Sequence, residues 1–167
     1  MTTNSWMPRD RWNALIRGDG CPLCAQVQAS SLADDYGFVI ADLQFSRLRL
    51  VRNQYVTGYC VLICHKHVIE PHELTASERN LFFADLALVG QALQQVFQAD
   101  KLNFQMLGNA VPHLHAHIVP RYFGDPAPSR PIDPTPAGQE VFLTEAGYDE
   151  RIQAIQRELR IDAVKGS

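Results

Sequence analysis

His113-Leu114-His115-Ala116-His117-Ile118-Val119-Pro120 gathers three of the chain's six histidines into one stretch, each separated from the next by an apolar residue. In an extended strand successive side chains point to opposite faces. His113, His115 and His117 therefore share one face at intervals of roughly 6.5–7 Å, and Leu114, Ala116 and Ile118 take the other. A row of imidazoles backed by an apolar face does little to stabilise a sheet. It does present nucleophiles, acids or metal ligands from a rigid surface. An affinity tag would be terminal and would not alternate with aliphatic residues.

Cys21-Pro22-Leu23-Cys24 is the second stretch with chemical potential. Tetrahedral Zn²⁺ commonly takes a close cysteine pair plus two residues from elsewhere in the chain. A thioredoxin-like redox pair is the competing reading, but it needs a preceding strand in a βαβ setting, which is missing here. A pair of inert thiols is the plain alternative. Four cysteines in a chain without an export pattern favour thiols or metal ligands over disulfides. Cys60 and Cys64 fall on the same strand face as Leu62 and read as core.

The histidine stretch resembles the histidine triad (HIT) family, whose signature is His-φ-His-φ-His-φ-φ with φ apolar. His113 to Val119 fills every position. Gly58-Tyr59-Cys60-Val61-Leu62-Ile63-Cys64, followed by His67, is similar to the family's central strand and the turn after it. The similarity runs from about residue 21 to about residue 121.

The resemblance implies that the middle histidine, His115, attacks the α-phosphate of a nucleotide substrate. That substrate would be a dinucleoside polyphosphate or a nucleoside phosphoramidate, and a covalent nucleotidyl intermediate would form. His117 would contact phosphate oxygens, and His113 would either orient His115 or bind a metal. Zinc-bearing relatives imply Cys21, Cys24, His67 and His113 as ligands, with His65 and His72 as rivals for the third place. Asn53 stands near where relatives hold the ribose hydroxyls, and Asn109 is placed to donate its amide to phosphate. Arg121 is either a cation near the phosphates or a solvated surface residue. Many relatives carry Gly-Gln-Ser/Thr-Val before the triad, with the hydroxyl reaching phosphate. Here Ala110 has no hydroxyl and Pro112 has no amide hydrogen.

Three function classes follow. The first is a hydrolase or nucleotidyl transferase working through His115, and the second a nucleotide-binding protein with little turnover, for which Ala110 argues. The third is a catalytic metal site built from all three triad histidines. It ranks last, because three alternate positions span about 13 Å, too far for one ion.

At 167 residues the chain is long enough for one domain with a proper core, read here as a single unit whose centre lies at about 21–121. Its 46% hydrophobic and 20% charged content is ordinary globular composition. A formal net charge of −3 gives no sign of a nucleic-acid backbone binder. No run reaches membrane-spanning length and no signal pattern opens the chain, so a cytoplasmic protein is expected, with no membrane partner and no organic cofactor.

The apolar spacing predicts an amphipathic helix from Ser5 to Arg17 and a short helix after Cys24 to about Ser30. Strands are expected at 38–43, 47–51, 59–64, 101–107 and 114–119. Arg47-Leu48-Arg49-Leu50-Val51 alternates in the manner of a half-buried strand. Thr75-Ala76-Ser77-Glu78 has the form of a capping box opening a helix to about Ala99, with Phe82, Leu86, Val89, Leu93 and Val96 on its core face. A last helix is expected at about 148–160, with Ile152, Ile155 and Leu159 inward. The sum is an α+β domain, an antiparallel sheet of about five strands with a long helix and shorter ones on one side.

The segment 124–138 contains Pro126, Pro128, Pro131, Pro134 and Pro136, with Pro120 just upstream. It cannot pair inside a sheet or form a helix, and is expected to cross the surface near the site. The family resemblance also implies a homodimer about the long helix and the strand at 101–107. Phe83, Leu88, Phe97 and Phe104 offer apolar surface for it. Removal of the chain after Arg121 would then weaken turnover while the dimer persists.

Overall fold

Gly58 adopts φ 81°, a left-handed turn that leads the chain into its most buried strand. A Cβ at Gly58 would lie 2.5 Å from the Phe97 ring, so both backbone and packing call for glycine there. The computed structural model describes residues 6–160; the expected helix start at Ser5 lies outside them. Two short helices come first, α1 (Arg9–Ile16) and α2 (Pro22–Gln28). Strands β1 (Gly37–Asp42), β2 (Ser46–Val51) and β3 (Cys60–Cys64) follow, then the long helix α3 (Ala76–Phe97). Strands β4 (Lys101–Gln105) and β5 (His115–Arg121) precede a closing helix, α4 (Glu145–Leu159). The sheet order is β1-β2-β3-β5-β4, antiparallel throughout, so the triad strand sits between β3 and the edge strand β4.

The α+β expectation holds, with adjusted ends. The capping box forms: Thr75 Oγ1 accepts from the Glu78 amide and Glu78 Oε2 accepts from the Thr75 amide, satisfying two free backbone donors. Helix α3 stops at Phe97 because Gln98 turns left-handed at φ 51°. Helix α4 starts earlier than the apolar spacing suggested, since the Thr144 side chain caps it by accepting from the Gly147 amide. Strand β4 ends at Gln105, and His113 and Leu114 precede β5.

The strand period of two divides the apolar residues between two cores. On one face, Ile40, Leu48, Leu50, Leu62, Ala116 and Ile118 pack against Phe82, Val89 and Leu93 of α3 and against Tyr148, Ile155 and Leu159 of α4. Each fully buried large aliphatic or Phe side chain here contributes about 1.5–3 kcal/mol. On the other face, Val61, Ile63 and Val119 pack with Leu15 of α1 and Leu23 of α2. Helices therefore cover both sides, whereas the sequence suggested one. The arrangement buries the charged face of β2 as well. Arg49 is 2% exposed and makes two hydrogen bonds to the Asp34 carboxylate, at 2.6 and 2.9 Å, and one to the Gly37 carbonyl. The paired Nη donors offset much of the cost of burying that guanidinium, while its Nε is buried without a partner among the described residues.

Residues 122–144 form no helix or strand, as the prolines require. Arg121 organises their first turns. Its guanidinium donates to both Asp125 oxygens, to Asn103 Oδ1 and to the carbonyls of Ala127 and Arg130. It is thus neither a phosphate-side cation nor a solvated residue. Ile132 then packs on the face that carries Tyr59, Val111 and Val119. Because Tyr148, Ile155 and Leu159 complete the α3 core, removing everything after Arg121 would open that core. The expectation of an intact dimer after truncation gives way to one of unfolding.

Candidate functional site

Strand β5 is held in register by β3, with Ile63 opposite His115, Leu62 opposite Ala116 and Val61 opposite His117. Ala116 and Ile118 point into the α3 core, which turns His115 and His117 to the α2 side of the sheet. His113 precedes the strand and is 1% exposed. Its carbonyl accepts a 2.6 Å hydrogen bond from His115 Nδ1. A carbonyl only accepts, so the His115 proton lies on Nδ1 and its Nε2 carries a lone pair. That Nε2 is 3.2 Å from His117 Nε2, with the two rings edge to face. Burial pushes His115 below its ordinary value and, with the neighbouring His115 ring, pushes His117 down to about 4, so both are neutral near pH 7.

A cavity of about 430 Å³ opens beside these two rings. Leu23, Val61 and Tyr36 give it apolar and aromatic walls, while Gln26, Asn109 and Ala110 lie on its rim. The Gln26 side-chain oxygen is buried there without a protein partner. A smaller cavity of about 180 Å³ adjoins His115 between Trp12, Glu70 and Asn109. A further groove, about 800 Å³, runs along the free edge of β4 and contains none of the triad.

Cys21, Cys24, His67 and His113 bring four donor atoms within 4.8 Å of one another. Cys21 Sγ is 3.5 Å from His113 Nδ1, and Cys24 Sγ is 3.4 Å from the same nitrogen and 3.3 Å from His67 Nδ1. The two Nδ1 atoms are 3.2 Å apart. His67 Nε2 donates to the Ile16 carbonyl and His113 Nε2 to the Cys64 carbonyl. In the neutral rings both Nδ1 atoms therefore face inward as lone pairs. For a tetrahedral ion with ordinary Zn–N and Zn–S bonds, N···N edges are about 3.3 Å and N···S edges about 3.5 Å. The donor set fits zinc.

The sequence readings of the remaining residues divide. His65 approaches Asp42 at 3.4 Å, and His72 sits in the short turn Pro71–Glu73; neither joins the cysteines. His113 is placed for both suggested posts, with its carbonyl accepting from His115 Nδ1 and its own Nδ1 in the quartet. Asn109 reaches the cavity rim. Asn53 does not: its Oδ1 accepts from the amides of Tyr55 and Val141, which clips the loop after β2 to the chain before α4. Cys60 and Cys64 are buried in the α3 core, and burial raises both thiols, Cys64 to about 11. Sequence reasoning missed Tyr59, whose hydroxyl is 2.6 Å from His117 Nδ1. It missed Tyr36 and Gln26 as well. Nothing in an apolar run or a short helix marks such residues.

Residues 33–124 match the model of the HIT domain family. The chain belongs to that family. A bis(5'-adenosyl)-triphosphatase of Saccharomyces cerevisiae is 35% identical to this HIT protein over 73 residues, 40% of this chain and 35% of the relative. The match thus spans about a third of that curated relative's length. A histidine triad protein of Bradyrhizobium japonicum superposes with a TM-score of 0.68 at 26% identity, over 77% of this chain and 97% of the other. A Zn-bound histidine triad family protein of Mycobacterium smegmatis shares the fold, with a TM-score of 0.54 at 23% identity over 84% and 94% of the two chains. Cys21 and Cys24 lie before the matched family segment, so the candidate metal quartet joins the HIT domain to the preceding helix.

Proposed function

We propose that this HIT protein is a nucleotide hydrolase or nucleotidyl transferase that works through a covalent His115 intermediate. The observation that carries the reading is the hydrogen bond from His115 Nδ1 to the His113 carbonyl, which leaves Nε2 unprotonated beside an open cavity. In the first step Nε2 attacks the α-phosphorus, an N–P bond forms, and the bond to the leaving group breaks. The electron pair departs on the leaving oxygen or nitrogen, which takes a proton from solvent, and the water of the second step gives one back. In the second step water attacks the phosphorus, the N–P bond breaks, and a nucleoside monophosphate leaves as His115 regains its neutral form. One difficult displacement becomes two easier ones. Dinucleoside polyphosphates and nucleoside phosphoramidates are the substrate classes. The polyphosphate class draws support from the yeast relative's activity.

Cys21, Cys24, His67 and His113 would hold a structural zinc. Bound there, the ion supplies a cross-link between the α1–α2 region and the triad, and no step of the reaction needs it. His113 passes that rigidity to His115 through its carbonyl. We also infer a homodimer through the unpaired edge of β4 and the outward face of α3, where Phe83, Leu88 and Phe104 are 38–43% exposed. Phe97 is not part of that surface, since its ring packs on Gly58 within the chain.

The second reading, a nucleotide-binding protein with little turnover, rests on Ala110 in the cavity lining, a side chain with no hydroxyl to offer a phosphate. Release of nucleoside monophosphate from both substrate classes separates the two. Turnover abolished by His115→Gly, with nucleotide binding retained by calorimetry, is the expected result. Equal hydrolysis in that variant removes His115 from the mechanism, and one release per chain without turnover favours the binding protein.

A further inference from the structure

Tyr59 ends the loop that enters β3, is 2% exposed, and packs among Val61, Ile63 and Val119 on the α2 side of the sheet. A buried phenol usually gives its hydroxyl to a nearby carbonyl. This one instead meets His117 Nδ1 at 2.6 Å, with the rings stacked 5.9 Å apart at 25°.

The proton positions along this row follow from its two ends. At one end, His115 has its proton on Nδ1, committed to the His113 carbonyl, so its Nε2 is a lone pair. His117 Nε2 stands 3.2 Å away and must carry a proton, because two lone pairs at that separation repel. A neutral imidazole has only one N–H, so His117 Nδ1 is then an acceptor. At the other end, burial keeps the Tyr59 phenol protonated, and the phenol is the donor that Nδ1 needs.

We propose that Tyr59 is a positioning residue that locks His117 in the Nε2–H tautomer, aiming a hydrogen-bond donor at the phosphate oxygens of the reacting group. Without the phenol, the Nδ1–H tautomer competes. In that form His117 turns a lone pair toward an anionic phosphate, and donor stabilisation in the transition state is lost. The inference deepens the reading of His115 as the nucleophile and rests on it for its catalytic consequence. The tautomer itself is a property of the resting protein and can be read without any substrate.

The test uses the full-length chain labelled with ¹⁵N. Long-range ¹H–¹⁵N spectra report which ring nitrogen bears the proton, with His117 assigned by loss of its signals in His117→Gln. In the parent protein His117 should show a protonated Nε2 and a bare Nδ1. In Tyr59→Phe, which keeps the ring and its packing, the Nδ1–H form should become populated. On a dinucleoside polyphosphate that variant should lose about tenfold in kcat, the worth of one hydrogen bond, with KM little changed. A protonated Nδ1 in the parent overturns the proposal even if Tyr59→Phe does not fold. So does an altered tautomer with unaltered kcat, or an unaltered tautomer in the variant. If neither protein turns over nucleotide, the reading of His115 fails, while the spectra still decide the tautomer.

Discussion

His67 Nδ1 and His113 Nδ1 face one another across 3.2 Å, each ring's other nitrogen engaged by a carbonyl. Two such lone pairs beside two thiols are unfavourable unless a cation stands among them. Purified protein should therefore contain close to one zinc per chain by elemental analysis. Cys24→Ser should lose it and lower the melting temperature on the order of 10 °C, because binding free energy at a structural site is folding free energy. Metal-free protein with unaltered stability in that variant would refute the site.

The Arg121 guanidinium beside Asp125 holds its carboxyl down at about 2. A group depressed in the folded state contributes stability above its unfolded value, and that contribution fades as pH falls from about 4 toward about 2. Asp125→Asn should thus melt lower than the parent at pH 7, and the gap should narrow steadily below pH 4. A gap independent of pH would show that the pair does not anchor the proline-rich segment by charge.

Thr75 caps α3 through the Glu78 amide. Thr75→Ala should cost about 1 kcal/mol, or roughly 2–4 °C in melting temperature for a chain of this size. Thermal melts of the two proteins check this, and equal midpoints would mean that the helix start is held by packing alone.

The assembly has its own test. Phe104 lies on the edge strand and its ring covers Gly90 of α3. Phe104→Lys, which places a charge on a 43%-exposed apolar site, should convert a micromolar dimer into monomer in sedimentation velocity. A parent protein that sediments as a monomer would overturn the dimer itself.

What could be seen in advance followed the local periods. Alternation of His113, His115 and His117 with apolar residues announced the triad strand. The Thr75–Glu78 spacing announced the start of α3, and the Cys21–Cys24 spacing half of the metal quartet. Partners far apart in sequence were invisible. Arg49 reads as a solvent-facing residue until Asp34 arrives beside it, and nothing local marks Asp85 as the carboxylate that the Phe45 amide and the Ser46 hydroxyl bind at 2.8 and 2.7 Å. Asn53 looked available to ribose hydroxyls because one of its partners, the Val141 amide, lies 88 residues downstream. The apolar stripe of a short helix says that one side is buried, not which face of the sheet buries it. That is why α1 and α2 were expected beside α3 and are found opposite it. Tyr59 escaped for a related reason, since a phenol in an apolar run has the pattern of core whether or not its hydroxyl reaches a histidine.

The claim on which all of this turns is the bond between His115 Nε2 and phosphorus. Rapid acid-free quenching of the protein with a dinucleoside polyphosphate or a nucleoside phosphoramidate, followed by intact-mass and peptide analysis, reads it directly. The expected result is a nucleoside monophosphate adduct on the peptide containing His115, formed within the first turnover and absent from His115→Gly. Full turnover with no adduct at any quench time, or an adduct that persists in His115→Gly, would contradict it.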